Sequence, residues 1–170
     1  AVEGAEHFGC TIEGLKTAYD NGVRSVNLTW NHDNALAGAA MDTGSGLTER
    51  GRAFVREAQE LGVMIDLSHV SERAFWDVLE CSQRPVYASH SDSWSLCPDF
   101  LRNLTDAQFT ALVKQGGGTG INLCADFIGM TRDLAAVVAH IEHFLSLGGE
   151  KAVFLGTDFD GIWETPRGIS

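Results

Sequence analysis

Long apolar runs and basic residues are scarce in this 170-residue sequence. No segment approaches the roughly 20 uninterrupted apolar residues of a membrane-spanning helix, so we expect no membrane partner. Lys and Arg number 12 against 23 Asp and Glu and are scattered along the chain, which disfavours nucleic acid as a partner. No charge block, repeat or linker rich in proline and serine divides the sequence. We therefore expect a single domain over residues 1–170.

Paired cysteine motifs are absent as well. Cys10, Cys81, Cys97 and Cys124 are widely spaced, which argues against a zinc knuckle and against a dense disulfide framework. Free thiols in a reducing compartment are the simpler interpretation, and we expect a bacterial cytoplasmic location. Cys124 follows a predicted strand, but a thiol nucleophile needs an adjacent base and a lowered pKa. A structural or pocket-lining role is therefore favoured for Cys124.

Strands and helices are predicted to alternate along the chain. Thr48 is a candidate N-cap and Gly62 a stop signal for the strongest helix. The glycine-rich stretch 115–120 precedes a strand instead of following one, so it is predicted to be a helix stop and turn. Strict alternation of this kind is typical of βαβ units with a parallel sheet. The predicted helices are 11–21, 48–61, 71–81, 105–115 and 133–147, and the predicted strands are 24–29, 63–67, 86–88, 120–123 and 151–156.

Histidines and carboxylates lie where predicted strands end. His69 and His90 each follow a short apolar run, and Glu3 and Asp158 occupy matching positions. Because the carboxyl ends of parallel strands converge on one side of a sheet, these side chains are expected to meet there. Glu3, His69 and His90 can complete one metal shell with an open position for water, whose pKa zinc lowers to about 7. Asp158 can orient that water and pass its proton to a leaving amine.

Structural histidines in the core are the alternative for His69 and His90, and the other four histidines are weaker candidates. His140 and His143 lie three residues apart on a predicted helix without an evident carboxylate partner from a second helix, so we expect surface or interface positions. For His7 and His32, ordinary loop polarity and membership of the site are both open.

Several short motifs in a fixed order point to one family. They lie at residues 2–4, 28–31, 46–51, 61–71, 85–91, 102–104 and 156–161. The Ile-Asp-Leu-Ser-His element that ends at His69 and the Ser-His-Ser element around His90 are the most specific. With these motifs the chain resembles the renal or membrane dipeptidase family of binuclear zinc hydrolases, which belong to the amidohydrolase-like barrels.

The resemblance implies an α/β fold of the (β/α)8 TIM-barrel type. It also implies that Glu3 bridges two zinc ions, while His69 and His90 complete the shell of the second ion. Asp158 matches the acid/base aspartate of the family. Arg102 matches the arginine that holds the terminal carboxylate of the substrate, a role that suits the bidentate guanidinium fork. A small dipeptide is the implied substrate. Whether the protein forms a homodimer is left open.

Three features depart from the family pattern. Nothing before Glu3 supplies the His-x-Asp metal pair of the first strand, so the chain is expected to hold about six of eight strand–helix units of a longer protein. Two zinc ions are expected in that longer protein, with one shell largely encoded here. Trp30 stands where mammalian members carry a histidine near the scissile bond, and Cys124 stands where an aromatic residue is common. Both substitutions alter the expected substrate pocket.

The leading hypothesis is a zinc-dependent dipeptidase that uses a metal-activated hydroxide. A second hypothesis keeps the barrel and the metals but assigns another amide or a lactam as substrate, because a fold alone does not fix the substrate. A third is a truncated or degenerate metal-binding protein without activity, for which the missing His-x-Asp pair is the supporting feature.

Overall fold

The structure is a computed structural model that describes residues 1–169. Its described residues fall into two compact units, one over Ala1–Tyr87 and one from Ala88 onward. Each unit combines parallel strand pairing with flanking helices, so the chain has a mixed α/β fold. The single domain expected from the sequence stays a prediction.

The first unit is built around two parallel strands, β1 (Ser25–Asn27) and β2 (Met64–Asp66). Val26 pairs with Ile65 in the register of this ladder, and both side chains are buried. Isolated parallel bridges add Val2 beside Val26 and Tyr87 beside Asp66. The helices of the unit are α1 (Ile12–Asp20), α2 (Glu49–Leu61) and α3 (Glu72–Cys81), preceded by a short 3-10 helix at Ala5–Phe8.

Helix boundaries in this unit follow the capping residues of the sequence. The Thr48 hydroxyl accepts a 3.0 Å hydrogen bond from the Gly51 N–H and so caps α2. Gly62 ends the same helix with a φ of 81°, a left-handed conformation that glycine adopts without a Cβ penalty. Thr11 and Ser71 cap α1 and α3 in the same way. The predicted helices of this unit are therefore confirmed to within a residue or two at each end.

The second unit is built around the parallel pair β3 (Thr119–Ile121) and β4 (Val153–Leu155), with α4 (Asp106–Gln115) and α5 (Leu134–Ser146) beside it. A short 3-10 helix at Ala125–Ile128 follows β3 and was not predicted. Phe109 of α4 stacks on Phe144 of α5 with ring centroids 4.2 Å apart, inside one apolar cluster. This stack joins the two helices into a single hydrophobic layer.

The ladders are shorter than the predicted strands, and the described residues form no closed barrel. Residues 24–29 and 63–67 were predicted as strands, but only three residues of each pair regularly. Leu28 and Leu67 are still buried beyond the ladders, because apolar runs report burial and not backbone pairing. The predicted strand 86–88 is present only as isolated bridges at Tyr87 and Ala88. Among the described helices, none has the length and apolarity that crossing a bilayer requires.

Candidate active site

Glu3 and His69 form the central contact of the first unit. Glu3 follows Val2, whose backbone N–H donates to Ser25 O at 3.0 Å, so the start of the chain is tied to β1. His69 lies three residues beyond β2 and its ring is buried. His69 Nε2 lies 2.8 Å from Glu3 Oε1. The structure thus joins a carboxylate and an imidazole from two strand ends, as the sequence predicted.

The orientation of the His69 ring is fixed from its other side. His69 Nδ1 lies 3.1 Å from Asn31 Oδ1. An amide oxygen only accepts hydrogen bonds, so Nδ1 carries a proton, and in the neutral ring Nε2 then presents a lone pair towards Glu3. In that neutral form two acceptor atoms face each other across 2.8 Å, an arrangement that either a proton or a bound cation satisfies. Imidazole nitrogen with carboxylate oxygen is a donor set that fits zinc and similar divalent metals.

His90 and Asp158 approach each other in the second unit. His90 follows Ala88, which pairs with Thr119, and its ring is buried. His90 Nδ1 lies 2.6 Å from the hydroxyl oxygen of Ser89, and its Nε2 lies 4.0 Å from Asp158 Oδ2. His90 thus lies two residues beyond the bridge at Ala88, and Asp158 lies close to the end of β4.

Asp158 is held in an uncommon backbone conformation. It lies three residues beyond β4 with a φ of 57°, in the left-handed region that few non-glycine residues adopt. Its Oδ2 accepts a 3.3 Å hydrogen bond from the side-chain amide of Asn122. A Cβ at Gly161 would lie 2.4 Å from Asp158 Oδ1, so the glycine leaves room for this carboxylate. Such local strain is typical of functional positions.

Asn122 and Asp92 support Asp158 and were missed by sequence reasoning. Asn122 is fully buried just beyond β3, and its backbone N–H donates to Asp92 Oδ1 at 3.1 Å. Its side-chain oxygen accepts a 2.6 Å hydrogen bond from the Cys124 N–H. Burial raises the pKa of Asp92 well above the usual carboxyl range. The available signal was a polar asparagine between Ile121 and Leu123 in an otherwise apolar run.

Arg102 lies beside the same polar group. Its side chain is buried, and Nη2 donates a 3.4 Å hydrogen bond to the backbone oxygen of His90. The guanidinium carbon lies 5.9 Å from the centre of the Phe127 ring, within cation–π range. Trp30, by contrast, is 49% exposed at the end of the first-unit strand β1. The roles assigned to Arg102 and Trp30 from the sequence stay predictions.

The expectation of a surface position was wrong for His140. His140 is 1% exposed, and its Nδ1 accepts a 3.0 Å hydrogen bond from the Ser93 N–H. The face of α5 that carries it packs inward with Val137 and Phe144, which spacing along one helix does not reveal. Burial lowers the pKa of His140 and keeps the ring neutral.

His143 is half-buried and has a partner from a second helix, which sequence reasoning did not find. Its Nε2 lies 2.8 Å from Asp106 Oδ1 of α4. His7 and His32 are exposed, and His32 Nδ1 lies 3.5 Å from Asp42 Oδ2. No observed interaction joins His7 or His32 to Glu3 or His69.

The cysteines are free, as expected from their spacing. Cys10 and Cys97 are buried, while Cys81 and Cys124 are half-buried. Burial raises the pKa of the Cys124 thiol, which disfavours the thiolate that a nucleophile needs. The glycine-rich stretch ends α4 at Gly116 with a φ of 85°, which confirms its interpretation as a helix stop.

Comparison with known proteins identifies relatives over nearly the whole chain. A Schizosaccharomyces pombe protein described as an uncharacterised dipeptidase is 36% identical, over 99% of this chain and 42% of its own length. The crystal structure of a Rhodobacter sphaeroides metallopeptidase, liganded with a phosphinate mimic of the dipeptide L-Ala-D-Ala, matches with a TM-score of 0.91 and 34% identity, over 98% of this chain and 51% of that one. A Pseudomonas aeruginosa amidohydrolase structure matches with a TM-score of 0.85 and 26% identity, over 99% of this chain and 50% of that one.

The chain therefore spans about half the length of these relatives. Its mixed α/β fold is similar to that of solved dipeptidase structures of peptidase family M19. The sequence model of the membrane dipeptidase family matches residues 1–170. The resemblance seen in the motifs is thereby confirmed, and the chain belongs to the membrane dipeptidase family, peptidase family M19.

Proposed function

We propose that this protein is a zinc-dependent dipeptidase. The observation that carries the proposal is the 2.8 Å contact between Glu3 Oε1 and His69 Nε2, two atoms of metal-ligand type from the segments on either side of β1 in an M19 chain. The Asn31 contact turns the Nε2 lone pair of His69 towards that carboxylate. Membership of a metallopeptidase family supplies the reaction class for this donor pair.

Three residues are proposed as metal ligands. Glu3 and His69 supply a carboxylate oxygen and an imidazole nitrogen, and the family pattern adds His90 as the next nitrogen. Because a carboxylate has two oxygens, Glu3 can bridge two ions, and we propose two zinc ions for the whole protein. When bound, zinc lowers the pKa of a coordinated water and polarises the peptide carbonyl.

Asp158 is proposed to move the proton in this reaction. Its carboxylate accepts a proton from the attacking water and returns it to the amine that leaves. The Asn122 amide donates to Oδ2, which holds the carboxylate plane and leaves Oδ1 for the proton. The left-handed backbone conformation at Asp158 further restricts the position of this carboxylate.

Arg102 is proposed to anchor the free carboxylate of the substrate, and Trp30 to form part of the pocket wall. The hydrogen bond to His90 O holds the Arg102 guanidinium in place, which reduces the entropy lost when a carboxylate binds. Trp30 is half-exposed and offers a large apolar surface to a small side chain. We propose small dipeptides as substrates, since the Rhodobacter sphaeroides relative binds a mimic of L-Ala-D-Ala.

The fold of the whole protein is proposed to be a (β/α)8 barrel. The parallel pairing of β1 with β2 and of β3 with β4, each with helices between the strands, supports this architecture. Phe154 and Leu155 of β4 are exposed in the described chain, and because successive strand residues point to opposite faces, the interior of a barrel would cover one and its outer helices the other.

A second candidate function is hydrolysis of another amide or a lactam by the same site. The similarity to an amidohydrolase structure of Pseudomonas aeruginosa favours keeping this alternative, because its fold and the metal-binding chemistry are compatible with several amide substrates. A metal-binding protein without activity is the third outcome that an experiment must separate.

The test uses the protein expressed from its complete reading frame. Metal content is measured by elemental analysis, and hydrolysis is measured on L-Ala-L-Ala, L-Ala-D-Ala, an N-acetylated dipeptide and a lactam, with and without a chelator. Two zinc ions per chain and chelator-sensitive cleavage of free dipeptides support the proposal. Cleavage of the lactam alone favours the second candidate, and bound zinc without any cleavage favours the third.

A further inference from the structure

We propose that Asn31 is a positioning residue that sets the tautomer and orientation of His69 and thereby the zinc affinity of the Glu3–His69 pair. This inference rests on the proposed metal-dependent function. Asn31 is half-buried, and its Oδ1 lies 3.1 Å from His69 Nδ1. Partners of this kind fix which imidazole nitrogen is free to bind a metal, and their loss typically weakens metal binding about 10- to 100-fold.

The segment that carries Asn31 is attached to the backbone of the His69 segment. The Ala40 N–H donates a 2.7 Å hydrogen bond to His69 O. Ala39 pairs with Val70 in an antiparallel bridge, and the Ser71 N–H donates to Gly38 O at 2.9 Å. The same loop therefore binds His69 twice, through the Asn31 side chain and through the Ala40 backbone.

The loop is also braced internally. Asn34 Oδ1 accepts hydrogen bonds from two backbone N–H groups, at Leu36 and Ala37, and Asn34 Nδ2 donates to Leu28 O at 2.7 Å. Asp33 Oδ1 accepts a 2.7 Å hydrogen bond from the Ala39 N–H. These bonds fold residues 33–39 back on the end of β1, so the Asn31 amide is held before any metal binds.

His69 needs such support because its backbone lies in a strained region. Its φ is 74°, in the left-handed conformation that a non-glycine residue rarely adopts. From this conformation the ring reaches Glu3, with Nε2 2.8 Å from Oε1. The amide of Asn31 then removes the remaining freedom of the ring, which is rotation by about 180° to exchange the two nitrogens.

The chemical nature of the partner gives a sharp comparison between variants. Asn31→Ala removes this acceptor, so the Nδ1–H loses its hydrogen bond to Asn31 and the tautomer that it favours is less stable. Asn31→Asp keeps an acceptor at the same position and adds a negative charge that increases the basicity of a metal-binding imidazole. We therefore expect N31A to weaken zinc binding and N31D to preserve or strengthen it.

The experiment measures the zinc dissociation constant of the full protein by competition with a chromogenic chelator. We expect the constant to rise about 10- to 100-fold in N31A and to stay within a few-fold of wild type, or to fall, in N31D. Asn21→Ala is the matched control, because the exposed Asn21 amide donates one hydrogen bond, to Thr17 O in α1, and does not contact the pair. Asn31→Leu, which keeps the branch at Cγ but has no acceptor, repeats the test without a cavity.

Melting temperatures of the zinc-free proteins separate positioning from loss of structure. Weakened zinc binding in both N31A and N31L, with N21A and N31D near wild type, supports the inference. Equal zinc affinity in N31A and N21A overturns the inference about Asn31 but not the proposed function. The same holds if N31D binds zinc as weakly as N31A. A wild-type protein that takes up no zinc overturns the proposed function and this inference together.

Discussion

The two units hold their histidines in different ways. In the first unit, His69 is oriented by Asn31 from a loop that is itself braced, and its Nε2 atom faces the Glu3 carboxylate at 2.8 Å. In the second unit, His90 is oriented by its own neighbour Ser89, and its Nε2 atom lies 4.0 Å from Asp158 Oδ2. The first arrangement suits capture of a cation, and the second suits a carboxylate that must stay available for a proton. Substitutions at Glu3 and at Asp158 should therefore separate metal binding from turnover.

The largest effect is expected from Glu3→Ala in the first unit. Loss of the carboxylate should abolish stoichiometric zinc binding and lower kcat/KM by about 1,000-fold or more, because a catalytic metal supplies several kcal/mol and each 1.4 kcal/mol is tenfold in rate. Elemental analysis and a dipeptide assay measure both effects. Glu13→Ala, at an exposed position in the first turn of α1, is the control. Full zinc content in E3A would show that the pair does not hold the metal.

Asp158→Asn tests the opposite half of the comparison. The variant cannot accept a proton, so kcat should fall about 100- to 1,000-fold while zinc content stays at the wild-type value. Asp160→Asn, two residues further along and exposed, should retain activity. If D158N loses zinc to the same extent as E3A, then Asp158 contributes to metal binding, and the proposed division between metal binding at Glu3 and proton transfer at Asp158 is wrong.

Arg102→Lys is expected to have a smaller effect. Lysine keeps the positive charge but loses the planar fork that binds a carboxylate through two parallel hydrogen bonds. KM for free dipeptides should rise about tenfold with little change in kcat, and a C-terminal amide substrate should show no difference between variant and wild type. Arg56→Lys, at an exposed position of α2, controls for the exchange itself. A fall in kcat with unchanged KM would contradict the anchoring role.

Sequence reasoning succeeded where the signal is local. Thr48 and Gly62 mark the ends of α2 because capping depends on hydrogen bonds within one turn. The contact between Glu3 and His69 followed from strand ends that converge in any parallel sheet. Asn31 and Asn122 were missed, because an amide that supports a functional group from another element carries no spacing signal. The burial of His140 was predicted wrongly for a related reason. Helical periodicity shows which residues share a face of a helix, but it does not show which other element covers that face.

The smallest predicted effect concerns a pair of helices in the second unit and should leave zinc and turnover unchanged. The hydrogen bond from His143, helped by Ser95, lowers the pKa of Asp106 despite partial burial. A carboxyl whose pKa is lower in the folded state stabilises the fold above its unfolded value of about 3.9, and this contribution is lost as the pH falls through the folded value.

His143→Ala should therefore lower the free energy of unfolding at pH 5 by about 0.5 kcal/mol, a small amount because solvent screens the half-exposed carboxylate. The difference from wild type should shrink towards zero as the pH falls through the lowered pKa of Asp106 in the folded state, where the carboxylate takes up its proton. Urea unfolding at pH 5 and at a series of lower pH values measures this, with the exposed His7→Ala as control. A difference that persists unchanged at low pH would mean that the ring stabilises α5 by packing near Phe144 and not through Asp106. In either case His143 contributes to stability and not to the proposed active site, because its partner Asp106 lies on α4 and not at a strand end.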